Sequence, residues 1–150
     1  MRAVIQRVSS ASVLIDNRIV SEIDTGILIL LGIELKDTYK DSLWLANKIA
    51  KLRIFSDSDG KMNNSILDIG GEAIVVSQFT LYAKTKKGNR PSYINAAKSE
   101  EAVSLYTKFK KDLSKLISKE VLSGEFGAEM KVCLINDGPV TIIIDTKNKE

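Results

Sequence analysis

Lys131-Val132-Cys133-Leu134-Ile135-Asn136-Asp137-Gly138-Pro139-Val140-Thr141-Ile142-Ile143-Ile144 is the stretch on which the fold turns. Two runs of apolar, strand-forming residues are split by one polar knot, Asn136 to Thr141. One of the chain's two prolines sits in that knot. A Gly-Pro step can carry a cis peptide at a cost of about 0.5–1 kcal/mol. Such a step aims a backbone carbonyl where ordinary turns do not. Asn-Asp-Gly-Pro is also strong turn chemistry, so a tight hairpin between two strands is the competing reading.

Moving upstream, residues 2–8 and 11–15 read as strand, with Val4, Val13 and Ile15 apolar among polar neighbours. Asp16-Asn17 signals a turn, and Arg18 to Ile23 returns as its hairpin partner. Gly26 to Ile33 is a continuous apolar run, the pattern of a strand buried on both faces. Asp37 or Thr38 caps a helix reaching about Leu52, with Leu45, Ile49 and Leu52 on one face. Ser56 to Gly60 reads as a loop; it lacks the calcium loop's last carboxylate, because Leu67 stands there. Ile66 to Ile69 reads as a short strand ended by Gly70-Gly71. Ala73 to Tyr82 reads as a long strand. Ser99, Glu100 and Glu101 open a second helix running to about Val121, with Ala102, Tyr106, Phe109, Leu113 and Ile117 as its apolar stripe. The order strands, helix, strands, helix, strands predicts an α/β fold with a mixed sheet and helices on one side.

The chain has 150 residues, 44% of them hydrophobic and 27% charged, which predicts one soluble domain spanning 1–150. The longest apolar stretch is too short for a bilayer and the start lacks a signal-peptide core. One cysteine, Cys133, rules out an intrachain disulfide and fits a reducing, cytoplasmic setting. There is no histidine. That removes Ser-His-Asp and Cys-His catalysis and His-ligated zinc, and a lone cysteine removes thiolate zinc sites. No metal and no cofactor is expected. Chemistry is left to hydroxyls, carboxylates, lysines, backbone groups or the substrate itself.

Four constellations stand out. Ser77-Gln78-Phe79-Thr80 places two hydroxyls and an amide in an apolar strand. This is either a strand emerging at a sheet edge or a pocket wall whose backbone N–H groups hold an oxyanion, with Thr80 as nucleophile or orienting group. The knot at 136–141 is either a turn or a site. Lys84-Thr85-Lys86-Lys87-Gly88-Asn89-Arg90-Pro91 is either a solvated loop or a phosphate contact. Lys108, Lys111, Lys115 and Lys119 recur at helical spacing with little acid beside them, as a solvent face or an RNA-backbone track. Cys133 reads as core, and Trp44 as packing.

Taken together these strings resemble the D-aminoacyl-tRNA deacylases. The likeness runs through Met1-Arg2-Ala3-Val4-Ile5-Gln6-Arg7-Val8, Leu52-Arg53-Ile54-Phe55 and Gly60-Lys61-Met62-Asn63. It continues through Ser77-Gln78-Phe79-Thr80-Leu81-Tyr82, Lys87-Gly88-Asn89-Arg90-Pro91-Ser92, Phe126-Gly127-Ala128-Glu129-Met130 and Asn136-Asp137-Gly138-Pro139-Val140-Thr141. Tyr93 departs from the family's usual phenylalanine. The resemblance implies a three-layer β/β/α sandwich and a cytosolic homodimer that cleaves D-amino acids from the end of tRNA. It implies that Gly138-Pro139 is cis and enters the partner subunit's site. Ser77, Gln78, Phe79 and Thr80 carry over as the catalytic strand. Gly138, Pro139, Arg7 and Met130 carry over as substrate-binding residues, and Lys84, Lys86, Lys87 and Arg90 are taken as contacts to tRNA. No DNA or membrane partner is expected.

Without a histidine, Thr80 is a poor nucleophile, and a water oriented by backbone groups and the adenosine 2′-hydroxyl is the expected attacker. The Gly138 and Pro139 carbonyls would accept from the substrate ammonium. L side chains would be excluded by pocket walls, while glycine, having none, would pass. Two rivals remain: an RNA-binding protein without catalysis, and a hydrolase of small D-amino acid esters that ignores tRNA.

Overall fold

The computed structural model describes residues 1–149. Strand β1 spans Arg2–Ile15, β2 Arg18–Ile23 and β3 Gly26–Gly32; helix α1 spans Tyr39–Ala50. Strands β4 (Phe55–Ser56) and β5 (Met62–Asn64) form a small separate hairpin. Then come β6 (Glu72–Ser77), a 3₁₀ turn over Phe79–Tyr82, helix α2 (Ser99–Ile117), β7 (Leu122–Ser123) and β8 (Lys131–Asp145).

Asp16 and Asn17 both take positive φ, at 49° and 60°, which is what a two-residue hairpin needs for its twist to match the strands. β1 and β2 therefore pair antiparallel, closing with Ile15 opposite Arg18. β3 pairs antiparallel with β1 and parallel with β6, and the crossover between β3 and β6 carries α1. The sheet order is β2-β1-β3-β6-β7, with β8 along β1. It is a mixed sheet, as the sequence pattern predicts.

Alternation along the strands divides the core. Ala3, Ile5, Ile27, Ile29, Leu31, Ala73 and Val75 meet Leu45 and Ile49 of α1 and Tyr106, Phe109 and Leu113 of α2. Leu28, Ile74 and Val76 point to the other face and meet Val8, Ala11, Val13 and Ile23. Helices, central sheet and the far half of β1 with its partners thus form three layers. β3 is apolar at every position because both of its faces are covered. Phe109 and Leu113 have no exposed surface, and truncating such a residue to alanine costs about 3–5 kcal/mol.

Of the two candidate caps for α1, Thr38 serves: its N–H and hydroxyl donate to the Asp41 carboxylate at 2.9 and 2.8 Å in a capping box. Asp37 is engaged elsewhere. Its buried carboxylate accepts from the Met1 ammonium at 2.5 Å and from the Glu34 N–H at 2.8 Å.

Several expectations are corrected. Ile66 to Ile69 is a turn, because the Asp68 carboxylate accepts both the N–H and the hydroxyl of Ser65 at 2.7 Å and closes the chain on itself. The strand expected to reach Tyr82 stops at Ser77, where the 3₁₀ turn takes over with Leu81 and Ala83 N–H donating to Gln78 and Thr80 carbonyls. Helix α2 ends at Ile117, with Ser118 in the left-handed region at φ 53°, short of Val121. Cys133 is exposed: Val132 and Leu134 turn inward, so Cys133 and Ile135 face out. The lysine face of α2 carries its own acid, since Lys108 pairs with Asp112 at 3.0 Å.

The largest correction concerns the opening stretch. It forms one strand, and both of its halves pair with β1: Asp145 to Thr141 with Arg2 to Gln6, and Asn136 to Lys131 with Val8 to Leu14. The hairpin reading therefore fails, because a hairpin would pair the two halves with each other.

Candidate active site

β6 carries the site strand beside β3, and the Gln78 N–H donates to the Leu31 carbonyl at 2.8 Å, fixing the point where the chain leaves the sheet. β3 ends there on Gly32. A side-chain carbon at that position would stand 3.1 Å from the Gln78 carbonyl and 3.0 Å from Leu81, so the close approach of the two segments depends on glycine.

Ser77, Gln78 and Phe79 line two cavities. One, of about 350 Å³, also involves Leu31, Ile33, Tyr93, Ala97, Ser99 and Phe126. The other, of about 220 Å³, is closed by Val76, Gly127, Ala128, Met130 and Val132. Met130 is thus placed against the site strand. Behind the first cavity the Phe126 ring meets Tyr106 edge-on at 5.5 Å, and the Tyr106 hydroxyl donates to the Val75 carbonyl at 2.7 Å. Burial pushes the Tyr106 phenol up to about 12, against the opposing pull of Ser123, so it remains a neutral donor anchoring the wall. At the mouth, Phe79 and Tyr93 pack edge to face at 4.9 Å, with Phe79 more than half exposed.

Among the described residues no carboxylate, lysine or arginine lines either cavity; the polar wall is Ser77, Gln78, Tyr93 and Ser99. Thr80 lines neither. Its hydroxyl oxygen accepts from the Gln78 side-chain amide, which makes it a brace for Gln78. The Phe79 and Thr80 N–H groups open the 3₁₀ turn, where a helical ladder supplies no carbonyl.

Arg7 and the Gly138-Pro139 knot form a second cluster. In the β1–β8 ladder Gln6 faces Thr141 and Val8 faces Asn136, so Asp137, Gly138, Pro139 and Val140 bulge opposite Arg7 alone. The Arg7 guanidinium fills the break, donating to the Asp137 carbonyl at 2.9 Å and the Ile54 carbonyl at 2.7 Å. Its Nε also stands 3.3 Å from the Asp137 carboxylate. Asn136 clasps the far side, its side-chain oxygen accepting the Val140 N–H at 2.8 Å. The Gly138–Pro139 peptide is cis. Gly138 has φ +127°, and a Cβ there would lie 2.6 Å from the Arg7 guanidinium, so no other residue fits without displacement. Gly138 and Pro139 are exposed and line neither cavity of their own chain.

Lys84, Lys86, Lys87 and Arg90 stand on an exposed loop whose base is closed by reciprocal Lys84–Ser92 backbone bonds at 2.8 and 3.1 Å. Ser92 precedes Tyr93, so this closure ties the cationic loop to the cavity mouth. Sequence reading missed Leu31, Ile33, Ala97, Ser99 and Phe126 as wall residues. Their apolar or small character gives no local signal, and only the folding of β3, β6 and α2 onto one point assembles them. Among the described residues no group of three His, Cys, Asp or Glu side chains is placed to hold a metal, and no helix is long and apolar enough to cross a membrane.

Residues 4–145 match the model of the D-Tyr-tRNA(Tyr) deacylase family. A D-aminoacyl-tRNA deacylase of Bacteroides thetaiotaomicron is 61% identical over 150 residues, covering 100% of both chains. One from Akkermansia muciniphila is 57% identical over the same span, again covering 100% of both. Among solved structures, a c-Myc DNA unwinding element binding protein superposes with a TM-score of 0.90 at 42% identity, over 97% of this chain and 98% of that one. A probable eukaryotic D-amino acid tRNA deacylase superposes with a TM-score of 0.80 at 16% identity, over 95% and 97%, and shares the fold.

Proposed function

This chain belongs to the D-Tyr-tRNA(Tyr) deacylase family and is a hydrolase, and we propose that it cleaves the ester between a D-amino acid and the terminal adenosine of tRNA. The observation that carries the mechanism is the neutrality of the two cavities around Ser77, Gln78 and Phe79. With no carboxylate, lysine or histidine in the wall, proton transfer falls to water and substrate.

Water adds to the ester carbonyl, the C–O bond to the ribose 3′-oxygen breaks, and the adenosine 2′-hydroxyl relays the proton to that oxygen. The Phe79 and Thr80 N–H groups receive the developing oxyanion, a role worth about 3–4 kcal/mol per donor. Gln78, braced by Thr80, borders the reacting group, and Ser77 and Met130 shape the wall. The Phe79–Tyr93 mouth suits the flat face of the adenine.

The substrate ammonium needs acceptors that the cavities lack. The exposed carbonyls of Gly138 and Pro139, held by Arg7 and Asn136, are assigned that task in the partner subunit of a homodimer. The exposed apolar side chains Ile135 and Ile143, 62% and 73% accessible, support such a pairing of β8 faces. Backbone acceptors ignore the side chain, so selectivity rests on walls that exclude L residues, and glycine is also cleaved. Lys84, Lys86, Lys87 and Arg90 hold tRNA phosphates at the mouth, and the setting is the cytoplasm.

The test is release of D-tyrosine against L-tyrosine from charged tRNA. Preference for D supports the proposal, and equal rates overturn it. RNA binding without release would favour the non-catalytic reading. Equal cleavage of a free D-tyrosine ester would favour a small-ester hydrolase.

A further inference from the structure

A groove begins at Leu81, in the 3₁₀ turn one residue past Thr80, and runs to the outer face of α1. It has a volume of about 770 Å³, and its lining includes Arg2, Leu81, Ile142, Ile143, Ile144, Trp44, Lys48 and Lys149. A shallower depression of about 370 Å³ continues it past the same Trp44 and Lys48 to Lys51 and Arg53. Among the described residues, five cations border the path and one acid, Asp145, which is already held by Arg2 at 2.7 Å. Lys48, Lys51 and Lys149 are exposed.

Trp44 has a face open to the groove. The Lys149 ammonium lies over its ring, 4.3 Å from the centroid, so a solvent-borne cation has already found it. An aromatic platform with cations on both sides is the arrangement that holds single-stranded nucleic acid, with bases on the ring and phosphates on the lysines. We propose that this groove docks the single-stranded 3′ end of the tRNA acceptor arm upstream of the terminal adenosine, a base stacking on Trp44 while Lys149 swings to a neighbouring phosphate. The inference rests on the deacylase reading for the identity of the RNA. Its support is separate: a start at Leu81, next to Thr80 in the 3₁₀ turn, excess positive charge, and the aromatic face. Ile142 and Ile144 pack against the helix-side core, and the exposed Ile143 borders the groove as well, so the groove opens beside the apolar β8 face.

The test uses the full-length chain and a Lys48→Glu/Lys51→Glu/Lys149→Glu variant, none of these residues lying in the catalytic cavities. Turnover is measured on D-tyrosyl-tRNA and on D-tyrosyl-adenosine, which has no phosphodiester. The expected result is a KM for the tRNA raised about tenfold or more with kcat kept, a salt slope reduced by about 2 for three lost contacts, and a rate on D-tyrosyl-adenosine unchanged. Trp44 is the chain's only tryptophan. Saturable quenching of its fluorescence by the tetranucleotide ACCA, weakened in the variant, is therefore a direct readout. Equal effects on both substrates, no effect on either, or no quenching would overturn the inference. A changed oligomeric state in the variant would also overturn it, by making the groove an interface between copies. Failure of the deacylase reading is seen separately, as absence of turnover by the unaltered chain; quenching by ACCA still decides the groove.

Discussion

Replacing Arg7 with alanine strikes a side chain that ties the bulged knot to the loop before β4. Its guanidinium is nearly buried and serves two carbonyls of distant segments, Ile54 at 2.7 Å and Asp137 at 2.9 Å. A hydrogen bond from a charged donor contributes about 1.5–3 kcal/mol, and both carbonyls lose it together. The nearby Asp137 carboxylate is 56% exposed and adds little. The loss comes to about 3–6 kcal/mol, against a total stability of roughly 5–15 for a domain. At about 2–4 °C per kcal/mol for a chain this long, the melting temperature falls by about 6–24 °C. Arg7→Lys keeps the charge, but one ammonium cannot reach two carbonyls in the fork geometry, so it restores less than half of the loss. Urea denaturation followed by circular dichroism measures the stability, and D-tyrosyl-tRNA turnover at a temperature where both variants are folded measures capture. An alanine variant within about 1 kcal/mol of the parent would refute the reasoning, since the two carbonyls would then have found other donors or water.

Thr80→Ala should keep turnover within about fivefold of the parent, because the hydroxyl braces Gln78 and has no base to activate it; a loss beyond about a thousandfold would return Thr80 to the role of nucleophile. Gly124→Ala puts a Cβ 2.2 Å from the sulfur of Met130, a cavity-lining residue that must then shift; the expected result is about 1–3 kcal/mol of destabilisation by urea titration together with reduced turnover. Stability should also fall in acid. Burial pulls the Asp41 carboxyl up, but the Lys147 ammonium and Thr38 outweigh it and hold the group well below its ordinary 3.8. A folded pKa below the unfolded one gives stability that is whole above about pH 5 and is lost progressively as pH falls further. Urea midpoints at pH 6, 4 and 3 should decline, and Asp41→Asn should flatten that decline.

Helix α2 was legible because its stripe of Ala102, Tyr106, Phe109, Leu113 and Ile117 repeats at the helical period and is covered along its length. β3 was legible because burial on both faces removes alternation. Ser77 to Thr80 was legible as a polar interruption, but not as a 3₁₀ turn, since four residues carry no period. Cys133 was misread for a related reason. Apolar Val132, Leu134 and Ile135 around it suggest full burial, yet alternation sends Cys133 and Ile135 outward and no element among the described residues covers them.

The knot follows the same logic. Local chemistry proposes a turn wherever Asn, Asp, Gly and Pro cluster. Whether the chain reverses depends on what lies opposite, and here a 14-residue strand, β1, runs unbroken past the cluster. Reversal would leave half of that strand's hydrogen-bonding edge without a partner, which is costlier than bulging four residues around one arginine. Arg7 is what makes the bulge tolerable: it satisfies a carbonyl that the ladder cannot. The position of an arginine 130 residues upstream thus decides how Asn136 to Thr141 folds, and only the paired structure brings the two together.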